Sequence, residues 1–108
     1  MIGTSADTLA EGIAARVTFD LTFGILKAYL DDFILLTEDE LAEGVRLALR
    51  TTHNLAEGAG AASLAAAVKL KPSLAGQRVA CIMSGGNLDS TRLRGILAAS
   101  PPALPADR

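Results

Sequence analysis

Residues 78–89 read RVACIMSGGNLD, an apolar run from Val79 to Met83 set directly against Ser84, Gly85, Gly86 and Asn87. The run has the length of a strand buried on both faces and ends in residues that tolerate a turn. A second run of this kind, DFILL at residues 32–36, lies between Asp31 and a helix-capping signal. If both are strands, the class follows from what separates them. TEDE at 37–40 is a capping box, in which the Thr37 hydroxyl accepts from the N–H three residues on, Glu40 reaches back, and the acids meet the positive end of the helix dipole. A helix is therefore expected to start near Glu38, with Leu41, Val45, Ala48, Leu49 and Thr52 on one face and Asp39, Glu43, Arg46 and Arg50 on the other. Gly44 is the local misfit in it and asks for a close packing neighbour.

Working outward, residues 1–12 read as a loop or extended entry, and Thr22 to Leu30 as a short helix. AASLAAAVKL at 61–70 is a small-residue helix stopped by Pro72 and Gly76, and DSTRLRGILAA at 89–99 is a final helix. The segment 99–108 holds three of the four prolines and is expected to be disordered. The order helix, strand, helix, helix, strand, helix predicts an α/β fold: a three-layer arrangement with a parallel sheet, helices on both faces and a right-handed connection. Two strands leave long apolar edges open, so the chain is expected to pair with another copy, as a homo-oligomer or domain-swapped assembly, or to be a piece of a larger protein.

Composition narrows the function. The 108 residues make one domain's worth of chain, and the formal charge of −2 provides no basic patch for nucleic acid. Cys81 is the sole cysteine and His53 the sole histidine, which excludes internal disulfides and Cys-based metal sites and predicts a reducing, cytoplasmic setting. His53 reads as a helix C-terminal residue. No apolar run approaches the ~20 residues of a membrane span. Lys27, Lys69 and Lys71 fall on or beside amphipathic helices and read as solvated.

Three short motifs admit a chemical and a plain reading. SGGN at 84–87 is a turn, or a ligand-binding loop at the carboxyl end of a strand, with the Ser84 hydroxyl as donor or acceptor. It matches neither G-x-G-x-x-G nor a Walker loop. In EGAGA, Glu57 is a first-turn acid, or a carboxylate facing a cleft that Gly58 and Gly60 open to a planar ligand. In TLAEGIA, Gly12 is a turn residue, or a flat backbone surface on which a ring can lie.

Taken in order, TLAEGIA, LDDFILLTEDEL, EGAGAASLAA and VACIMSGGNLD resemble the C-terminal part of the large domain of pyridoxal-phosphate-dependent threonine dehydratases, with the similar serine racemases and serine dehydratases. The fold type is that of the tryptophan synthase β chain. The resemblance runs over roughly residues 4 to 98, which it implies form part of the cofactor domain. It implies pyridoxal phosphate as cofactor and a small amino acid as substrate. Ser84 would hydrogen-bond the pyridine nitrogen with Gly85 beside it, Gly12 would pack its backbone on the ring, and Glu57 would be an acid next to the cofactor. Glu11 stands where many relatives have Asp. The family's Ser-Phe-Lys segment, with the lysine that holds the cofactor covalently, its substrate loop and its phosphate loop do not occur in these residues. The resemblance thus implies a fragment of an ammonia-lyase that is inactive alone, with no catalytic residue and no metal ligand of its own. The alternative is a non-catalytic, self-associating module that keeps part of the cofactor shell.

Overall fold

The computed structural model describes residues 5–99. Four α-helices carry the fold: α1, Asp20–Tyr29; α2, Glu38–Thr52; α3, Gly58–Lys69; and α4, Ser90–Ala98. Two 3-10 turns, Glu11–Ile13 and Lys71–Leu74, complete it. Each expected helix is present, and α3 begins three residues earlier than its small-residue run suggests.

The ends of α2 follow the local chemistry. Thr37 Oγ1 accepts from Glu40 N at 3.2 Å and Glu40 Oε2 accepts from Thr37 N at 2.8 Å, a complete capping box. At the other end His53 is the C-cap, in the left-handed region at φ 57°. The following loop is short, and α3 returns antiparallel along α2, with Lys69 near Glu40 and Ala61 and Ala65 against Gly44. A Cβ on Gly44 would stand 3.0 Å from the Ala61 carbonyl oxygen and 3.0 Å from Ala65 Cβ. The helices therefore meet closer than side chains allow, which is the neighbour that the misfit glycine asked for.

Around this seam lies the core: Val45, Ala48, Ala56, Ala61 and Ile96, with Leu9, Ala42, Leu64 and Leu88 against it. It is small. Val45 is the largest fully buried side chain, and the radius of gyration of 15.0 Å exceeds the ~13 Å of a compact chain of about this length. Arg46, expected on the solvent face of α2, is 8% exposed. Its Nε donates to Glu43 Oε2 at 2.8 Å and its Nη1 to the Ile96 carbonyl at 2.7 Å, so a guanidinium closes the last turn of α4.

The three-layer α/β expectation is overturned: among the described residues there is no strand and no sheet, and the fold is helical. DFILL and VACIM take no regular secondary structure and join no ladder, so neither the parallel pairing nor the right-handed sheet connection forms among the described residues. The physical reason is that an extended segment has no internal hydrogen bonds and needs a neighbour about 4.7–4.9 Å away. The two runs are held separately against α3. Lys69 Nζ donates to the Leu35 carbonyl at 2.9 Å, and Ser63 Oγ donates to the Ile82 carbonyl at 2.7 Å. Ser63 and Lys69 are ~9 Å apart along the helix axis. Of the segment 99–108, the residues from 100 onward lie outside the described residues, as do residues 1–4.

Two measurements check this account. Gly44→Val forces the α2–α3 seam apart and is expected to lower unfolding free energy by ~1–3 kcal/mol in urea, read by circular dichroism; an unchanged midpoint contradicts the close seam. The Glu40 carboxyl is held below its ordinary 4.5, first by the Thr37 N–H and then by Lys69. A depressed folded value means that its contribution is complete above pH 4.5 and is lost as pH falls through 4.5 and below. Stability is therefore expected to decline on that acid side, with a shallower slope in Glu40→Gln.

Candidate functional site

Three segments meet at the N-terminus of α3. The first is the end of the run 78–83, anchored by Ser63 Oγ on the Ile82 carbonyl and by Cys81 Sγ, 3.7 Å from the Ser63 carbonyl. It delivers the loop 84–87 over the first turn of α3. The loop then enters α4 through Asp89, whose Oδ1 accepts from Thr91 N at 3.0 Å and Arg92 N at 2.9 Å. A turn with an apolar lead-in and an N-cap on exit is thus fixed at both ends.

The second segment is the start of α3 itself. Glu57 is its N-cap by position, but its side chain does not cap; its backbone N–H donates to the Gly85 carbonyl at 3.1 Å. Its carboxylate lies over the Cα of Gly85, where a Cβ would run into Oε1. One helical step on, a Cβ on Gly60 would overlap the Gly85 carbonyl oxygen. The two backbones touch, and glycine is needed on both sides of the contact. The third segment is residues 8–12. Leu9 N donates to Glu38 Oε2 at 2.7 Å and Thr8 Oγ1 donates to Glu38 Oε1, which ties this segment to the first turn of α2. The following 3-10 turn puts Gly12 beside Ala59, with 3.1 Å between a built Cβ and Ala59 Cβ.

Of the residues singled out by sequence, the structure brings Glu57 and Gly85 into contact and sets Gly12 against Ala59, the second residue of α3. Ser84 stands at the rim of the same corner. It is exposed, and neither its hydroxyl nor the Glu57 carboxylate has a hydrogen-bond partner among the described residues. The corner therefore presents one hydroxyl, one carboxylate and a glycine-lined backbone. The lysines are elsewhere. Lys69 lies ~18 Å along α3 from Glu57 and is engaged by Glu40 Oε2 at 3.1 Å. Lys71 lies in the turn after α3, and Lys27 is on α1.

Two partnerships were not legible in the motifs. Arg92 Nη2 pairs with Glu11 Oε1, joining the 3-10 turn that carries Gly12 to the first turn of α4. Hydrogen bonding by Arg92, and then its charge, hold the Glu11 carboxyl below its ordinary range. Glu38 reads from sequence as a dipole acid, whereas it also clamps Thr8 and Leu9. Neither has a local signal, because each pair spans tens of residues. Among the described residues no group of His, Cys, Asp and Glu could hold a metal ion.

Residues 2–85 match the family model described as pyridoxal-phosphate dependent enzyme. The chain is 39% identical over 90 residues to L-threonine ammonia-lyase of Thermotoga maritima, covering 83% of this chain and 22% of that protein. It is 36% identical over 97 residues to L-threonine ammonia-lyase of Geobacter sulfurreducens, covering 85% and 24%. With the catabolic L-threonine dehydratase TdcB of Staphylococcus aureus it shares 33% identity over 93 residues, covering 83% and 27%. The chain spans about a quarter of the length of the curated relatives it matches.

The contact of Gly60 with Gly85 is open to test. Gly60→Ala is expected to push the 84–86 loop off α3, at a cost of ~1–3 kcal/mol, and to expose the Glu57 amide to hydrogen exchange. Unchanged protection at Glu57 would sink the contact.

Proposed function

The chain belongs to the pyridoxal-phosphate dependent enzyme family, and on that premise we propose that the corner formed by Gly12, Glu57, Ser84 and Gly85 is one wall of the cofactor site of a threonine ammonia-lyase. The observation that carries this is the backbone contact at Gly60 and Gly85, flanked by a hydroxyl and a carboxylate without partners. An aromatic ring nitrogen needs a hydrogen-bond partner, and the exposed Ser84 hydroxyl, held beside α3 by the contact of Gly60 with Gly85, can be one. The residues fit the ring end of the cofactor. They offer no phosphate cradle, and no lysine stands at the corner.

When bound, pyridoxal phosphate would supply the electron sink that labilises the Cα proton of a β-hydroxy amino acid, so that the β-hydroxyl leaves as water and hydrolysis of the resulting enamine, which takes a water back up, releases ammonia and a 2-oxo acid. The chain's own residues orient and tune. Ser84 would donate a hydrogen bond from its hydroxyl to the ring nitrogen, and a neutral partner there would not force the nitrogen to be protonated. That moderates the sink and suits elimination over amino-group transfer. Gly12 would lay its backbone against one face of the ring, and Glu57 would place its carboxyl beside it. The substrate class is threonine or serine. The working unit is residues 1 to 98, with the proline-rich 99–108 outside it.

By itself the 108-residue chain is inactive in this reading, because each of its lysines lies outside the corner. Its setting is cytoplasmic, in keeping with the exposed thiol of Cys81; among the described residues no helix is long and apolar enough to cross a membrane. It self-associates, since Phe19, Leu21, Tyr29 and Phe33 are all at least 74% exposed.

One experiment tests the site. The chain alone, with added pyridoxal phosphate and threonine or serine, is expected to give no 2-oxobutyrate or pyruvate. Set in place of the matching quarter of the Thermotoga ammonia-lyase, it is expected to restore turnover, and Ser84→Ala in that chimera to weaken cofactor binding by about tenfold. Product from the chain alone overturns the inactivity. A chimera whose cofactor affinity ignores Ser84→Ala overturns the role of the hydroxyl.

A further inference from the structure

Each side of the corner is referenced to α3 at one place. Gly12 lies against Ala59, and Gly85 lies against Glu57 and Gly60. A single place of contact fixes a position and leaves an orientation free, so the two sides can still swing relative to each other. The side that carries Gly12 is the weaker one. Its 3-10 turn, Glu11–Ile13, has no buried residue and no side-chain cap. Its tie to α2 lies upstream, where Glu38 holds residues 8 and 9.

Arg92, in the first turn of α4, closes the triangle. Its guanidinium meets two carboxylates with different nitrogens: Nη2 donates to Glu11 Oε1, and Nε lies 3.5 Å from Asp89 Oδ2. Asp89 is itself committed, because its Oδ1 caps α4 through the N–H groups of Thr91 and Arg92. Between Asp89 and the loop 84–87 stands Leu88, which packs against the core. A planar fork that serves two carboxylates has few arrangements in which both are met, whereas a point charge has many. The guanidinium thus runs from the residue beside Gly12 to the cap that ends the Ser84 loop.

We propose that Arg92 is a positioning residue of the cofactor wall, which through Glu11 and Asp89 holds the Gly12 backbone at one spacing from the Ser84 hydroxyl. This rests on the reading of the corner as a cofactor wall and names the group that keeps its two sides aligned. The three side chains are between 48% and 66% exposed, and exposed ion pairs add little to folding. Selecting one orientation of two elements already in place needs little energy. A ring that spans Gly12 and Ser84 must meet both at once, so a swing of either side is read as lost affinity.

The test has two arms. In the intact 108-residue chain without cofactor, hydrogen exchange is followed at the Ala14 amide, which donates to the Glu11 carbonyl at 3.1 Å. Arg92→Ala and Glu11→Ala are each expected to speed exchange there by about three- to fivefold, and the double variant no further. The urea midpoint of Arg92→Ala is expected to hold, since alanine is favoured in α4. In the Thermotoga chimera each substitution is expected to raise the dissociation constant of pyridoxal phosphate by about three- to fivefold. On a Ser84→Ala background the further rise is expected to stay below about twofold, because the hydroxyl to be positioned is gone. Unchanged exchange at Ala14, or an affinity that ignores Arg92→Ala while Ser84→Ala weakens it, overturns the role of Arg92 and leaves the cofactor wall standing. Effects of Arg92→Ala and Ser84→Ala that multiply, with a lowered urea midpoint, make Arg92 a stability residue and also overturn the proposal. An affinity that ignores Ser84→Ala and Arg92→Ala alike overturns the wall itself.

Discussion

The close approach of α2 and α3 is the constraint from which the other positions follow. Gly44 lets the two helices meet at backbone distance, and that contact sets where the first turn of α3 lies. Because Glu57 and Gly60 belong to that turn, the loop from Ser84 can rest on it, and residues 9–12 can rest beside it. A functional corner assembled from three distant stretches is thus referenced to one seam of small side chains. Alanine and glycine fill it because they have no side-chain rotamer freedom to lose and leave no gap at this distance.

Polar contacts then lock the periphery to the seam. The Glu38 carboxylate holds residues 8 and 9, Lys69 joins the capping box to the Leu35 carbonyl, and buried Arg46 ties α2 to the end of α4. The exposed pairs are worth little singly. Arg46 differs, because it is buried and satisfies a terminal helix carbonyl that would otherwise face a core of small residues. Glu11 and Arg92 form the one ion pair here that spans two walls of the corner, linking the turn of Gly12 to the helix entered from Ser84.

Much of this was legible wherever the chemistry is local. The capping box at Thr37 and Glu40, the C-terminal place of His53, the demand of Gly44 for a neighbour and all four helices follow from residues within a few positions of each other. The strands were not legible, because an apolar run of five residues states a preference for burial and carries nothing about whether a neighbour stands at ladder distance. Val79 to Met83 and Phe33 to Leu36, read as strands, are not strands: no ladder forms among the described residues, and a sheet is a property of pairs. Arg46 failed for a related reason: periodicity assigned it to solvent, while the carbonyl that claims it lies fifty residues on. For the corner, order and spacing of the motifs pointed to Gly12, Glu57, Ser84 and Gly85, but the partners that hold it, Glu38 and Arg92, came from tertiary structure.

The run from Arg78 to Met83 has one further consequence. It is pinned at Ile82 by a serine hydroxyl and at Gly85 by the Glu57 amide, while the backbone N–H groups of residues 78–83 have no acceptor among the described residues. A row of unpaired backbone donors is a template for a neighbouring strand, so the residues that form no sheet here are those through which one would form if a neighbour stood at ladder distance.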